Sequence, residues 1–527
     1  MDDPVTLYVV TRTIVLCEQY GLTPFVRELE SEGRQDLMPH HASSGDPVLS
    51  APNANRDADL NPPAPSVGRH GLGWALAVLA LAQLIFSLDL NIVFVALPDI
   101  GADLGFTGQT QQLVVSAYVV FAGGFLLLGG RAADLLGRRR VFVAALTLYA
   151  LSSLAGGLAP NAEMIVVARA VQGIGGALLL PSTLSLINTL FQEGPRRNRA
   201  LAVWGGAGAS GLTVGALLGG ALTEAFGWPA VFFVNVPLAA LVALAGLWVI
   251  PKDRRDGVRR PFDLPGAVSV TAGATLLVFA LVEGPDLGWL SPVVLSTAVL
   301  AVVALASFAV IETRGADPLM PPRLFSNRSL LVGMTVTFVY MGSFGALPYF
   351  LTVLLHNVYH FSALQTGLAF LVPSVAIALG TQLGERATTR FGVRPTLLWG
   401  FGVGVAGTAL LAVAFDDRAS YLIAVPGLVV SGLGQGVTWT AMWIAAAAGV
   451  APAEQGVASG MASTTLNVGN AIGLAVLIAI ANAGVGHSPA NQLPDAIAHG
   501  GQIAVLIAAA AMAVGMLASR TLPRRLG

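Results

Sequence analysis

Two side chains carry charge where their neighbours are almost wholly apolar. Asp89 lies in Leu88-Asp89-Leu90-Asn91-Ile92-Val93-Phe94-Val95-Ala96-Leu97-Pro98, and Arg169 in Arg169-Ala170-Val171-Gln172-Gly173-Ile174-Gly175-Gly176. A carboxylate among apolar residues holds a proton when water is excluded and loses it when water enters. An arginine there costs about 2.5–3.5 kcal/mol on insertion scales, so it faces a partner or a cavity, or snorkels to a nearby interface. The chemistry on offer is reversible protonation beside a fixed positive charge; the plainer reading of Asp89 is a buried carboxylate hydrogen-bonded for packing alone. A second constellation is Gly130-Arg131-Ala132-Ala133-Asp134-Leu135-Leu136-Gly137-Arg138-Arg139-Arg140. Its carboxylate and arginines can form charge-assisted pairs that hold one conformation and break in another. The plainer reading is a basic anchor with a helix-ending glycine. A third pattern is Gly211, Gly215 and Gly219, four apart, with Gly220 beside them. That spacing makes a smooth helix face for close approach of a neighbour.

Other chemistry is missing. Lys252 is the only lysine and stands in Pro-Lys-Asp, so no phosphate-binding Gly-x-x-x-x-Gly-Lys loop exists. His356 and His360 are four apart but lack a third ligand, and no His-Glu-x-x-His pattern occurs, so no metal is expected. Gly173-Ile174-Gly175-Gly176 follows no strand, which removes the dinucleotide reading and leaves helix packing. Cys17 is the sole cysteine, so no intramolecular disulfide, Cys-rich metal site or iron–sulfur cluster can form. With no nucleophile–base or metal constellation, an enzyme is the least favoured class, and no cofactor is expected.

The elements that must position these residues are membrane spans. Of 527 residues, 55% are hydrophobic and 11% charged, against roughly 25% charged in soluble domains. Mean hydropathy is +0.73. Apolar runs of spanning length occur at 72–97, 110–130, 140–159, 163–188, 200–222, 229–250, 265–283, 292–312, 330–354, 363–384, 395–415, 421–446, 457–481 and 500–519. The break near Ala451–Glu454, between 421–446 and 457–481, is the weakest because it is short, and its loop, 447–456, holds no basic residue. Residues 1–70 read as a disordered or partly artefactual tail, with Met38 as an alternative start; Asp2 and Asp3 argue against a signal peptide. Of the 28 Lys and Arg residues, 21 fall in the even-numbered loops and the C-terminus, and the odd-numbered loops hold only Arg418. Cytoplasmic loops carry such an excess, so both termini are expected inside. Spread over separate short loops, these charges do not make a nucleic-acid face.

Taken together, these motifs resemble the major facilitator superfamily over residues 72 to about 520. The 130–140 loop is similar to its signature Gly-x-Leu-Ala-Asp-x-x-Gly-Arg-Lys, with Gly130, Asp134, Gly137, Arg138 and Arg139 on defining positions and Leu135 in place of a frequent Arg. Span 4 shares the family's Arg-x-x-Gln-Gly-x-Gly pattern. Span 1 resembles Leu-Asp-x-Thr-x-x-Asn-Val-Ala-Leu-Pro of the fourteen-helix drug:proton antiporters, with Asn91 and Phe94 departing from it. Span 5 resembles their Gly-x-x-x-Gly-Pro-x-x-Gly-Gly, with Ala216 for Pro. The residues Trp228 to Pro237 look like the same branch.

The resemblance implies an all-α polytopic membrane protein: two six-helix bundles, at 71–250 and 329–527, with two inserted helices at 251–328. It implies proton-coupled export of small amphipathic compounds, such as drugs or antibiotics, by alternating access. Asp89 and Arg169 would couple protons, and the Asp134 loop would control conformation. Asn91, Gln172, Trp204, Tyr340, Asn467 and Asn470 are candidates for the substrate cavity. A small-molecule substrate, a lipid bilayer, a monomeric state and a bacterial inner membrane complete the expectation. A solute importer on the same fold and a non-transporting sensor or scaffold are the rivals. The span-5 glycines and the fourteen helices disfavour the first; an intramembrane Asp and Arg together disfavour the second.

Overall fold

The computed structural model describes residues 69–106, 113–253, 263–314, 320, 322–361, 363–415, 420–482 and 493–523. The tail expected at 1–70, with Met38, lies outside the described residues apart from its last two positions. Every described element is helical. Among the described residues fourteen helices are long and apolar enough to cross a membrane. In chain order they are α1 Gly71–Leu97, α2 Leu113–Leu136, α3 Arg138–Gly157, α4 Ala162–Leu190, α5 Pro195–Phe226, α6 Pro229–Val249, α7 Pro265–Gly284, α8 Pro292–Arg314, α9 Arg328–Val353, α10 Gln365–Phe391, α11 Val393–Ala412, α12 Tyr421–Ala447, α13 Pro452–Ala481 and α14 Asp495–Ser519.

These match the fourteen apolar runs, and the ends differ for a physical reason. Apolarity marks only the lipid-facing part of a helix, whereas hydrogen bonding continues to the cap. α5 therefore starts at Pro195, a residue suited to the first turn, and takes in Arg196, Arg197 and Arg199. α10 runs on past Glu385 and Arg390 to Phe391. The weak break at 447–456 is a true one. α12 ends at Ala447 and Gly449 adopts φ 66°. Pro452 then opens the next turn.

The helices pair in two equivalent sets. α1 packs on α5 and α6, α2 on α4, and α3 on α4 and α6. Raising each helix number by eight reproduces the second set: α9 on α13 and α14, α10 on α12, and α11 on α12 and α14. The halves meet through α5 with α10 and through α2 with α13. The α7–α8 hairpin packs against α2, where Thr275 and Val278 occupy the space beside Gly124 and Gly123. Large apolar residues are exposed along its rim and along α6, among them Val299, Val302, Val303, Leu241, Leu244 and Trp248. Patches of that extent need apolar surroundings.

Candidate functional site

Asp89 and Arg169 meet. Arg169 Nη1 donates to Asp89 Oδ2 at 2.7 Å and to Gln172 Oε1 at 2.7 Å. Asp89 Oδ1 accepts from Gln172 Nε2 at 3.0 Å and from Asn235 Nδ2 at 2.7 Å. Arg169 Nε donates to the Val114 carbonyl at 3.1 Å, and its guanidinium lies 4.3 Å from the centre of the Tyr118 ring. Gln172 Nε2 also reaches Ser153 Oγ at 3.2 Å. Asp89 and Gln172 are 0% exposed and Arg169 1%, so the pair is wholly inside protein. Five helices contribute: α1, α2, α3, α4 and α6. All five bring residues from the half of the helix remote from the basic loops. Like Ser153 and Tyr118, Asn235 is a member that the sequence left unnoticed as chemistry. Its signal was there, a lone amide within the apolar run after Trp228. Its Oδ1 is buried and meets no donor.

Glycines hold this geometry. The Leu84, Leu88 and Ile92 carbonyls of α1 lie where side chains on Gly211, Gly215 and Gly219 of α5 would stand. Leu88 precedes Asp89, so the α5 stripe seats the carboxylate through the backbone of α1. Gly220 is outside this contact, with only Val95 Cγ1 at 3.9 Å from the place of a methyl. Gly173 lets α4 approach the Tyr118 carbonyl, which brings the Tyr118 ring onto Arg169. We expect Gly215→Val to push α1 away at an overpacking cost of about 1–3 kcal/mol. Transport should be lost even in membranes where the protein still accumulates, whereas Gly220→Ala should transport at the parental rate. Whole-cell accumulation of a fluorescent substrate measures both; equal behaviour of the two variants would refute the seating role.

The signature loop divides into two parts. Asp134 reaches the other half, where its Oδ1 accepts from Gly456 N at 3.1 Å and its Oδ2 from Val457 N at 2.9 Å. It thereby caps the first turns of α13, where a carboxylate also meets the positive helix end. Arg138 Nη2 pairs with Asp134 Oδ1 at 3.0 Å and bonds the Pro452 carbonyl, while its Nε donates to Ser185 Oγ at 2.6 Å. Gly130 crosses Gly456 and Gly460 backbone to backbone, with no room for a side chain. Gly137 and Arg139, by contrast, stay within the first half. Gly137 has φ 102° and the Asp253 carboxylate fills the space beside it. That carboxylate accepts from Arg139 N at 3.1 Å and Arg140 N at 3.3 Å, and the Arg139 guanidinium bonds the Leu247 carbonyl. Arg323 steadies the first turn of α13 through Glu454 Oε1 at 2.7 Å. That hydrogen-bonded carboxylate pushes the arginine pKa up.

The cavity candidates scatter. Gln172 belongs to the buried network rather than to a cavity wall. Trp204 and Tyr340 are buried in an aromatic cluster between the halves. Asn91 is half-buried two residues after Asp89. Asn467 and Asn470 are half-buried on α13, and Asn467 Nδ2 donates to the Ser463 carbonyl of its own helix. Among the described residues no group of three or more His, Cys, Asp or Glu is placed to hold a metal ion.

Residues 79–474 match the family model described as Major Facilitator Superfamily. The chain is 38% identical over 459 residues to the puromycin resistance protein pur8 of Streptomyces alboniger, covering 84% of this chain and 89% of that protein. It is 36% identical over 449 residues to the cephamycin export protein CmcT of Amycolatopsis lactamdurans, covering 84% and 91%. Among solved structures, the human organic anion transporter MFSD10 superposes with a TM-score of 0.63 at 18% identity, over 85% of this chain and 99% of that one.

Proposed function

The chain belongs to the major facilitator superfamily and is a membrane transporter, and from that premise we propose that it exports small amphipathic compounds in exchange for protons. The observation that carries the reading is the Asp89–Arg169 pair, wholly buried in one half of the molecule at membrane depth. Intramembrane charges mark ion and proton pathways. The direction of transport rests on relatives whose names state resistance or export. The basic loops face the cytoplasm, both termini lie inside, and the protein works as a monomer in a bacterial inner membrane.

The chemistry of a coupled cycle follows from the network. A proton entering from outside neutralises Asp89 and loosens its hold on Arg169. Arg169 remains partnered by Gln172 Oε1, the Val114 carbonyl and the Tyr118 face. A neutral Asp89 becomes a donor, and the idle Asn235 Oδ1 can accept from it after a half-turn of the amide. The network therefore offers Asp89 a hydrogen-bond partner in either protonation state, reached by one side-chain rotation. Each inward proton contributes about 2.3 kcal/mol per 100 mV. The halves rock about the α2–α13 and α5–α10 contacts, and the Asp134 cap favours the conformation closed at the basic end. Expression in a pump-deficient bacterium, with a compound panel and with or without a protonophore, tests the reading. Reduced accumulation that the protonophore reverses is the expected result. Unchanged accumulation of every compound would overturn it.

A further inference from the structure

The basic half of the interface between the two six-helix sets holds three tryptophans. Trp204 on α5 stacks on Trp439 of α12, with centroids 6.0 Å apart and planes 15° apart. Trp443, one turn further along α12, meets Trp204 edge-on at 5.8 Å and Trp439 at 5.7 Å. Tyr340 of α9 joins Trp439 at 5.6 Å and leads on to Phe344 at 5.2 Å. Gly205 leaves the space into which the Trp439 indole edge fits. Trp204 belongs to one half and the other rings to the second, so the cluster must part whenever the basic end opens.

Packing alone does not account for this choice of residue. The indole N–H groups of Trp204, Trp439 and Trp443 are all buried and none meets an acceptor. A buried donor without an acceptor carries a desolvation penalty that Phe or Leu would avoid, and buried indoles ordinarily find a partner. Three such donors in one cluster, on rings that separate during the cycle, point to acceptors met in the other conformation.

We propose that this cluster is the inner gate and, when parted, the loading subsite for flat aromatic molecules bearing oxygen acceptors. The proposal deepens the export reading and rests on it. A flat ring inserts between the Trp204 and Trp439 faces and replaces their mutual stacking. Its carbonyl or hydroxyl oxygens take the indole N–H groups. Recognition therefore needs both a π-face and an acceptor.

The test uses the purified full-length chain and two flat three-ring probes, quinizarin with oxygen acceptors and anthracene without, followed by probe fluorescence. Efflux of quinizarin and of the non-aromatic amphiphile cholate is measured in parallel in cells. The wild type is expected to bind quinizarin more tightly than anthracene. Trp439→Leu should weaken quinizarin binding at least tenfold and raise the KM for quinizarin efflux several-fold more than the KM for cholate efflux, since the gate serves both and the aromatic subsite only the first. Trp439→Phe, which keeps a ring and removes one of the three donors, should reduce the preference for quinizarin over anthracene several-fold. This conservative variant also guards against a leucine variant that fails to fold. Equal loss of quinizarin and cholate efflux, or a preference undiminished by Trp439→Phe, would overturn the subsite while leaving export standing. A wild type that exports neither compound overturns the subsite, while the export reading stands or falls on the full compound panel.

Discussion

Asp89→Asn is expected to bring protonophore-sensitive export to background and to lower thermal stability as well. Asparagine keeps the shape and one acceptor but cannot exchange a proton. Its stability effect has a separate origin. Arg169 is 1% exposed, and it keeps its charge whatever stands at position 89. Breaking a buried pair by removing one partner costs about 3–5 kcal/mol, because the other charge stays uncompensated. The loss here falls at the lower end of that range, since Gln172 Oε1, the Val114 carbonyl and the Tyr118 face still receive the guanidinium. The double variant Asp89→Asn with Arg169→Gln separates the two consequences. It removes both charges, so it should recover most of the thermal midpoint and none of the coupling. Midpoints in detergent and proton-driven substrate flux in proteoliposomes give the two readouts. An Asp89→Asn protein that still exchanges substrate for protons at the parental rate would show that the carboxylate is structural only.

The two charged members of this network were legible because a charge stands out in an apolar run. Of their neutral partners only Gln172 was. Asn235, Ser153 and Tyr118 look like ordinary polar residues of membrane helices, and only the packing of α1, α2, α3, α4 and α6 brings them together. Helix number was legible from apolar length, but not where the helices end or which of them touch. For that reason Gly130 was singled out and its counterparts Gly456 and Gly460 were not. The loop motif had the same limit. All five of its residues fall within ten positions of sequence, yet Asp134, Arg138 and Gly130 engage the other half while Gly137 and Arg139 brace their own.

The eight-helix offset sharpens the role of Asp134. The two contacts between halves are equivalent in helix number, α2 with α13 and α10 with α5. Their chemistry differs. The first carries a carboxylate on two backbone N–H groups and an arginine beside it. At the second, Asn198 Nδ2 of α5 donates to Thr389 Oγ1 of α10 at 3.2 Å, a neutral bond. Charge-assisted bonds are roughly twice as strong as neutral ones. Closure of the basic end is thus fastened by charge-assisted bonds at the α2–α13 seam, and that seam is the one to loosen in an experiment.

Asp134→Asn should therefore open the basic end and slow export together. An N-cap carboxylate is worth about 0.5–2 kcal/mol, and a hydrogen bond to a charged group about 1.5–3 kcal/mol. A combined loss of about 2 kcal/mol shifts the balance between closed and open conformations by roughly 30-fold. Arg138→Ala should do less, because Asp134 keeps both backbone donors of α13. The shift can be read by chemical labelling. Cys17 is the sole cysteine, so Cys17→Ser gives a background without thiols. Ser463 is buried on α13, about one turn beyond Gly460 and on the same face, so Ser463→Cys reports on that seam. In everted vesicles a membrane-impermeant maleimide should label the reporter at least several-fold faster when Asp134 is Asn, and at an intermediate rate when Arg138 is Ala. Faster labelling with normal export would mean that closure is not limiting. Unchanged labelling in both variants would mean that the Asp134 cap does not hold the halves together.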